Sequence, residues 1–187
     1  VNVIAYPTPE GATTTNKIFY TSIDGNIVEP YDPSAFGANI VSNTYEYGQG
    51  VITFDGDVTA VGKFAFQDCE NLQSIHLPDG VTTIGESAFY NCGNLVSLNV
   101  PNGATSIERV AFYHCNNLIS IILPESVTYI GHAAFAYCSS LTSLDVTSFD
   151  TTNVTDMQSM FRGCTKLQTI VMDDSFKLLI RNVFEKI

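Results

Sequence analysis

Five cysteines, three histidines and 19 acidic residues are the side chains in this 187-residue sequence with the capacity for chemistry. Thiols can pair as disulfides, hold zinc or act as nucleophiles. Cys69, Cys92, Cys115 and Cys138 stand 23 residues apart, and Cys164 follows after 26. That period reads as one buried column of small apolar thiols, one per structural unit. Inward side chains running in parallel are poorly aimed for disulfides, and an odd number leaves one over, so no disulfide is expected. No Cys-x-x-Cys or His-x-x-x-His pair occurs, so no metal is expected either. His76, His114 and His132 fall at three different phases of the period, and none is placed as the base of a nucleophile. A glycosidase needs two carboxylates across a cleft, and the nearest pair is Asp79 with Glu125, two periods apart in turns that follow proline. These read as solvated turn residues. Asn153-Val-Thr155 is a glycosylation sequon, which has meaning only where that machinery exists. Glycine-rich phosphate loops are absent. The expectation is a chain with no catalytic residues and no cofactor, hence no enzyme.

The elements that position these residues repeat with the same period. Phe66, Phe89, Phe112 and Phe135 keep the 23-residue interval, as do Leu72, Leu95, Leu118 and Leu141, and Phe161 holds the same offset from its cysteine. Behind each leucine come two more apolar positions, such as Ile75 with Leu77 and Ile121 with Leu123, and proline follows at 78, 101 and 124. Short alternating segments closed by proline, which has no N–H to give to a ladder, are strands. Periods in this range mean a solenoid whose coils stack edge to edge. The fold class expected is therefore a mainly β repeat solenoid, with the phenylalanine and cysteine columns as its core. Residues 51–172 are assigned to the solenoid. Ile52, Phe54, Val58 and Val61 carry the pattern one period upstream as an edge coil. Residues 16–50 are assigned to an N-terminal β cap, with a hairpin expected about Asp24-Gly25. Residues 173–187, where Phe176, Leu179, Ile180, Val183 and Ile187 recur at helical spacing, are assigned to a short C-terminal capping helix or a tail.

The consensus Leu-x-x-Ile-x-Leu-Pro-x-x-Val-x-x-Ile-Gly-x-x-Ala-Phe-x-x-Cys over residues 51–141 resembles the BspA-like class of leucine-rich repeats. The segment Phe149 to Cys164, with Asn-Val-Thr-Asp-Met and then Met-Phe-x-x-Cys, is similar to a companion repeat of the same Bacteroides-type surface proteins. This resemblance implies an exported or surface-attached bacterial protein, of gut or oral commensals, that adheres to host proteins or other cells, and it brings no catalytic residues. Glu108, where the consensus has glycine, and Gly103-Ala104, where it has a larger apolar residue, depart from the pattern.

A net charge of −11 argues against nucleic acid and anionic membranes as partners, and no apolar run is long enough to span a bilayer. Residues 1–15, with Pro7, Pro9, Gly11 and Thr13 to Thr15, read as a linker after a removed export signal, so a secreted or cell-surface location is expected. With the inward columns committed to the core, binding belongs to the outward ones. Val96, Ile119 and Ile122 make an apolar patch on the outward strand positions, in or beside the His76 and Asn99 column, and Tyr90 and Tyr113 mark an aromatic edge beside the cysteines. A protein partner on a host or bacterial surface is the leading expectation. A structural spacer or stalk and a carbohydrate-binding solenoid are the alternatives.

Overall fold

The computed structural model describes residues 15–145 and 159–171. Its strands there are β1 (Lys17–Ser22), β2 (Ile40–Glu46), β3 (Gln49–Phe54), β4 (Leu72–His76), β5 (Thr83–Ile84), β6 (Ser97–Leu98), β7 (Ser106–Ile107), β8 (Ser120–Ile122), β9 (Tyr129–Ile130), β10 (Ser143–Asp145) and β11 (Thr169–Val171). Each coil contributes one strand to a main face, through the leucine-rich segment, and the central coils contribute a second short strand to the opposite face.

On the main face the coils run parallel, Ser74 beside Ser97 and Ile75 beside Leu98, then Ile122 beside Asp145 and Asp145 beside Val171. Between β6 and β8 the ladder continues through the Ile119 N–H, which donates to the Val96 carbonyl at 3.3 Å. On the opposite face β5, β7 and β9 pair in parallel, and Val61 extends them with a bridge to Ile84. Proline ends each leucine segment and starts a turn, with the Val81, Ala104 and Val127 amides donating to the carbonyls of Pro78, Pro101 and Pro124 at 2.9–3.1 Å.

The core is a set of columns. Phe66, Phe89, Phe112 and Phe135 are fully buried, with ring centroids 5.3–5.4 Å apart and nearly parallel planes, and Phe161 continues the row at 6.4 Å. The spacing follows from the separation of hydrogen-bonded strands, about 4.8 Å, with a small lateral offset. Beside them run the five cysteines, all free thiols. Cys92, Cys115, Cys138 and Cys164 each donate to the carbonyl of a phenylalanine in the preceding coil, at 3.0–3.2 Å, and Cys69 donates to the Glu29 carbonyl. The Phe66, Phe89, Phe112 and Phe135 carbonyls also accept the N–H of the cysteine in their own coil at 3.2–3.3 Å, so each thiol adds a second bond to a turn carbonyl and ties one coil to the next. Coil spacing also explains the glycine column: a Cβ on Gly131 would lie 2.4 Å from the Arg109 nitrogen, too close for any side chain without moving a coil.

Two expectations about the N-terminal region need correction. No hairpin forms about Asp24-Gly25: the segment after it is irregular, tied back by Ser22 Oγ to the Asn26 carbonyl and by the Val28 N–H to the Tyr20 hydroxyl. The hairpin is β2–β3, turning at Tyr47 and Gly48, both with positive φ, the geometry of a type I′ turn. The second correction concerns stacking order. The pattern places Ile52 and Phe54 one coil before Ile75 and Leu77, but β1 lies between β3 and β4 and is antiparallel to both. The main-face order is therefore β2-β3-β1-β4-β6. Phe36 fills the space this opens, 5.1 Å from Phe54 and 5.5 Å from Phe66. The expected linker, apart from Thr15, and the expected C-terminal helix lie outside the described residues.

Candidate binding surfaces

Alternation along β1 and β3 buries Ile18, Tyr20, Ser22, Ile52 and Phe54, which leaves Phe19 and Val51 on the outward side of the main face. Strand pairing sets them in one row with the solenoid: Val51 beside Phe19, Phe19 beside His76, then Asn99, Ile122, Asp145 and Val171 in successive coils. The N-terminal strands extend this face and do not cover it. Ile122 is 71% exposed, Ile119 47% and Val171 44%, whereas Val96 is half-buried.

The residues singled out by sequence are not equivalent in space. Asn99 is engaged by the scaffold: its side-chain carbonyl accepts from the Leu77 N–H at 2.9 Å and its amide donates to the Leu77 carbonyl at 3.1 Å. It closes the ladder where β6 is too short to do so with its own backbone. His76 is half-buried beside Phe19, and burial holds its imidazole below the ordinary value although Asp79 pulls the other way. At neutral pH it presents an uncharged ring. Phe19 and Val51 carry no sequence signal as site residues, because only the pairing of β1 with β4 brings them into the row.

A second surface lies along the turns. Tyr90 and Tyr113 stack at 5.2 Å with planes 1° apart, and Tyr137 meets Tyr113 edge-on at 5.2 Å. His114 stacks on Tyr137 at 4.7 Å, and the Arg162 guanidinium lies over the Tyr137 ring at 5.8 Å. Tyr90, Tyr113 and Tyr137 line a groove of about 510 Å³ together with Glu86, Arg109 and His132. Glu86 bonds Lys63 at 3.0 Å and Arg109 at 3.5 Å, and the Lys63 contact is the main cause that keeps its carboxyl below the ordinary value. Tyr137 continues the period of Asn91 and His114, and Arg162 stands two residues before Cys164 as Tyr90, Tyr113 and Ala136 stand before their cysteines, but an arginine in that column carries no aromatic signal. The three histidines occupy separate places: His76 on the main face, His114 against Tyr137, and His132 in the groove wall.

Among the described residues no helix is long and apolar enough to cross a membrane. A solved leucine-rich cell surface protein from Faecalibacterium prausnitzii is 32% identical over 67% of this chain, with a TM-score of 0.59. The pneumococcal vaccine antigen PcpA matches 64% of the chain at 21% identity with a TM-score of 0.51, a likeness of fold. A leucine-rich repeat protein from Bacteroides ovatus matches 71% at 29% identity with a TM-score of 0.42. The chain spans about a third of the length of these solved proteins, 32%, 35% and 38% respectively. No curated protein matches it. The BspA-type leucine-rich repeat model matches residues 39–159 in six copies, and the chain belongs to that family.

Proposed function

We propose that this chain is a non-catalytic recognition module that binds a protein on a host or bacterial surface through the outward side of its main sheet. The observation that carries this reading is the exposure of Ile119 and Ile122 on a ladder whose neighbouring strands continue the face without covering it. An outward strand position that no other element covers has no structural need for isoleucine, and apolar exposure on a rigid surface marks docking. A location outside the cell or on its surface belongs to the same reading, supported by the family and by the cell-surface relative.

The test is a double variant chosen from the register. Asp at position 122 would face Asp145 directly across the ladder, a like-charge pair that destabilises by itself. Ile119→Asp with Ile122→Lys avoids that clash and preserves the net charge. Solid-phase binding to matrix and epithelial surface proteins is expected to fall at least about 30-fold in affinity, the effect of losing one hot-spot side chain, with the melting temperature unchanged. Unchanged binding by the double variant would remove the main face as the site, and no wild-type binding at micromolar concentrations would favour the spacer reading.

A further inference from the structure

The groove along the turns is chemically unlike the rest of the molecule. Among the described residues there are five Lys and Arg side chains, of which Arg109 and Arg162 line the groove and Lys63 stands at its rim. Glu86 is the one carboxylate in the lining, and it is already neutralised by Lys63 and Arg109. On a chain of net charge −11 this is a local basic channel. Its wall is aromatic, and the tyrosine stack stops at Tyr90, because Gln67 holds the equivalent position one coil earlier.

We propose that this groove is a second binding site, separate from the main face, for a carboxylated glycan chain. Tyrosine rings accept the C–H face of a pyranose, and their hydroxyls bond its hydroxyl groups. Guanidinium takes a carboxylate in a bidentate fork. Coils repeat at about 4.8 Å, so Tyr90, Arg109 and Arg162 are spread over several coils and meet successive residues of an extended chain. Main-chain bonding decides between a glycan and an acidic peptide. The Phe64, Ser87 and Val110 amides donate to carbonyls of the next coil at 3.0–3.1 Å, and their carbonyls accept from Gln67, Tyr90 and Tyr113. At these three positions the groove floor has no open backbone edge for a peptide strand to pair with, and the polar groups it presents there are side chains.

The test is calorimetric titration of the intact chain with a galacturonic acid hexamer, a neutral galactose hexamer and a hexaglutamate peptide. Saturable binding of the acidic hexamer is expected, with the neutral sugar and the peptide each at least about tenfold weaker. Tyr90→Ala is expected to weaken the acidic hexamer about tenfold while Tyr90→Phe, which keeps the ring face, retains binding within about threefold. Arg162→Gln, at an exposed position, is expected to weaken binding and flatten its salt dependence with the melting temperature within about 2 °C of the wild type, as for a surface substitution. The proposal fails if the acidic hexamer shows no saturation up to about 10 mM, a range set by weak sugar-binding free energies. It also fails if the neutral sugar binds as well, if hexaglutamate binds as well or better, or if Tyr90→Ala and Arg162→Gln both bind like the wild type. The Ile119→Asp, Ile122→Lys variant is expected to bind the acidic hexamer normally, which separates failure here from failure of the main face.

Discussion

Phe112 lies between Phe89 and Phe135, fully buried, with parallel rings on both sides. Truncation to alanine removes two ring contacts and leaves a cavity that neighbouring coils cannot collapse into, since their backbones are fixed by ladder bonds. Phe112→Ala is expected to cost about 3–5 kcal/mol in urea unfolding. Val110 presents the opposite case. It holds φ of 49°, in the left-handed region, where a β-branched residue is strained by about 1–2 kcal/mol. The same turn position is taken by Phe64, Ser87 and Ala133, so the backbone shape belongs to the coil and the side chain is the variable. Val110→Asn, a residue that tolerates this region, is expected to raise stability by about 1 kcal/mol, read as a higher urea midpoint with an unchanged slope. The buried phenylalanines were legible in the sequence through their period. Turn strain at Val110 was not, because a left-handed position that accepts Phe, Ser, Val and Ala leaves no residue-type signature.

The cysteine column acts as an element in its own right. Burial raises the thiol of Cys69 to about 12 and that of Cys164 to about 11, and it holds Cys92, Cys115 and Cys138 well above the ordinary value. An unfolded thiol ionises near pH 8.5, so above that pH the unfolded chain releases protons that the folded chain retains. The column's contribution is fully present below about pH 8.5 and is lost as pH rises towards 11–12, by up to about 1.4 kcal/mol per pH unit for each thiol. Urea midpoints measured from pH 8 to 10 are expected to fall steeply, and Cys115→Ala is expected to make that fall shallower by one proton. A midpoint that stays level over this range would show that the thiols ionise without unfolding. The column could be read from spacing alone, and so could the strand at β1, from the alternation of Ile18, Tyr20 and Ser22. Which neighbour β1 chooses could not. A strand's own pattern states which face is buried, not what lies at its edges, so its insertion between β3 and β4 was hidden, and with it the place of Phe19 beside His76. Asp24-Gly25 misled for a related reason: a turn sequence fixes local φ but does not make the next segment pair.

At the scale of the whole molecule the chain is a stack in which each coil contacts its neighbours, and the inward columns are fixed by that stacking. Variation is free only on the outside, where the stack presents two surfaces of different chemistry: a main-sheet face with exposed Ile119, Ile122 and Val171, and a basic, aromatic groove along the turns. Repetition made the scaffold and its outward columns legible. The groove was only half legible, since Tyr90 and Tyr113 stand out by period while Arg162, which holds their column as a different residue type, gives no sign in the sequence that its guanidinium lies over the Tyr137 ring. The central claim is that protein recognition belongs to the main face. Binding to solubilised host surface and matrix proteins, compared for the wild type, Ile119→Asp with Ile122→Lys, and Tyr90→Ala, tests it most directly. Loss of protein binding in the double variant, with retention in Tyr90→Ala and equal melting temperatures, is the predicted result; retention in the double variant with loss in Tyr90→Ala would contradict it.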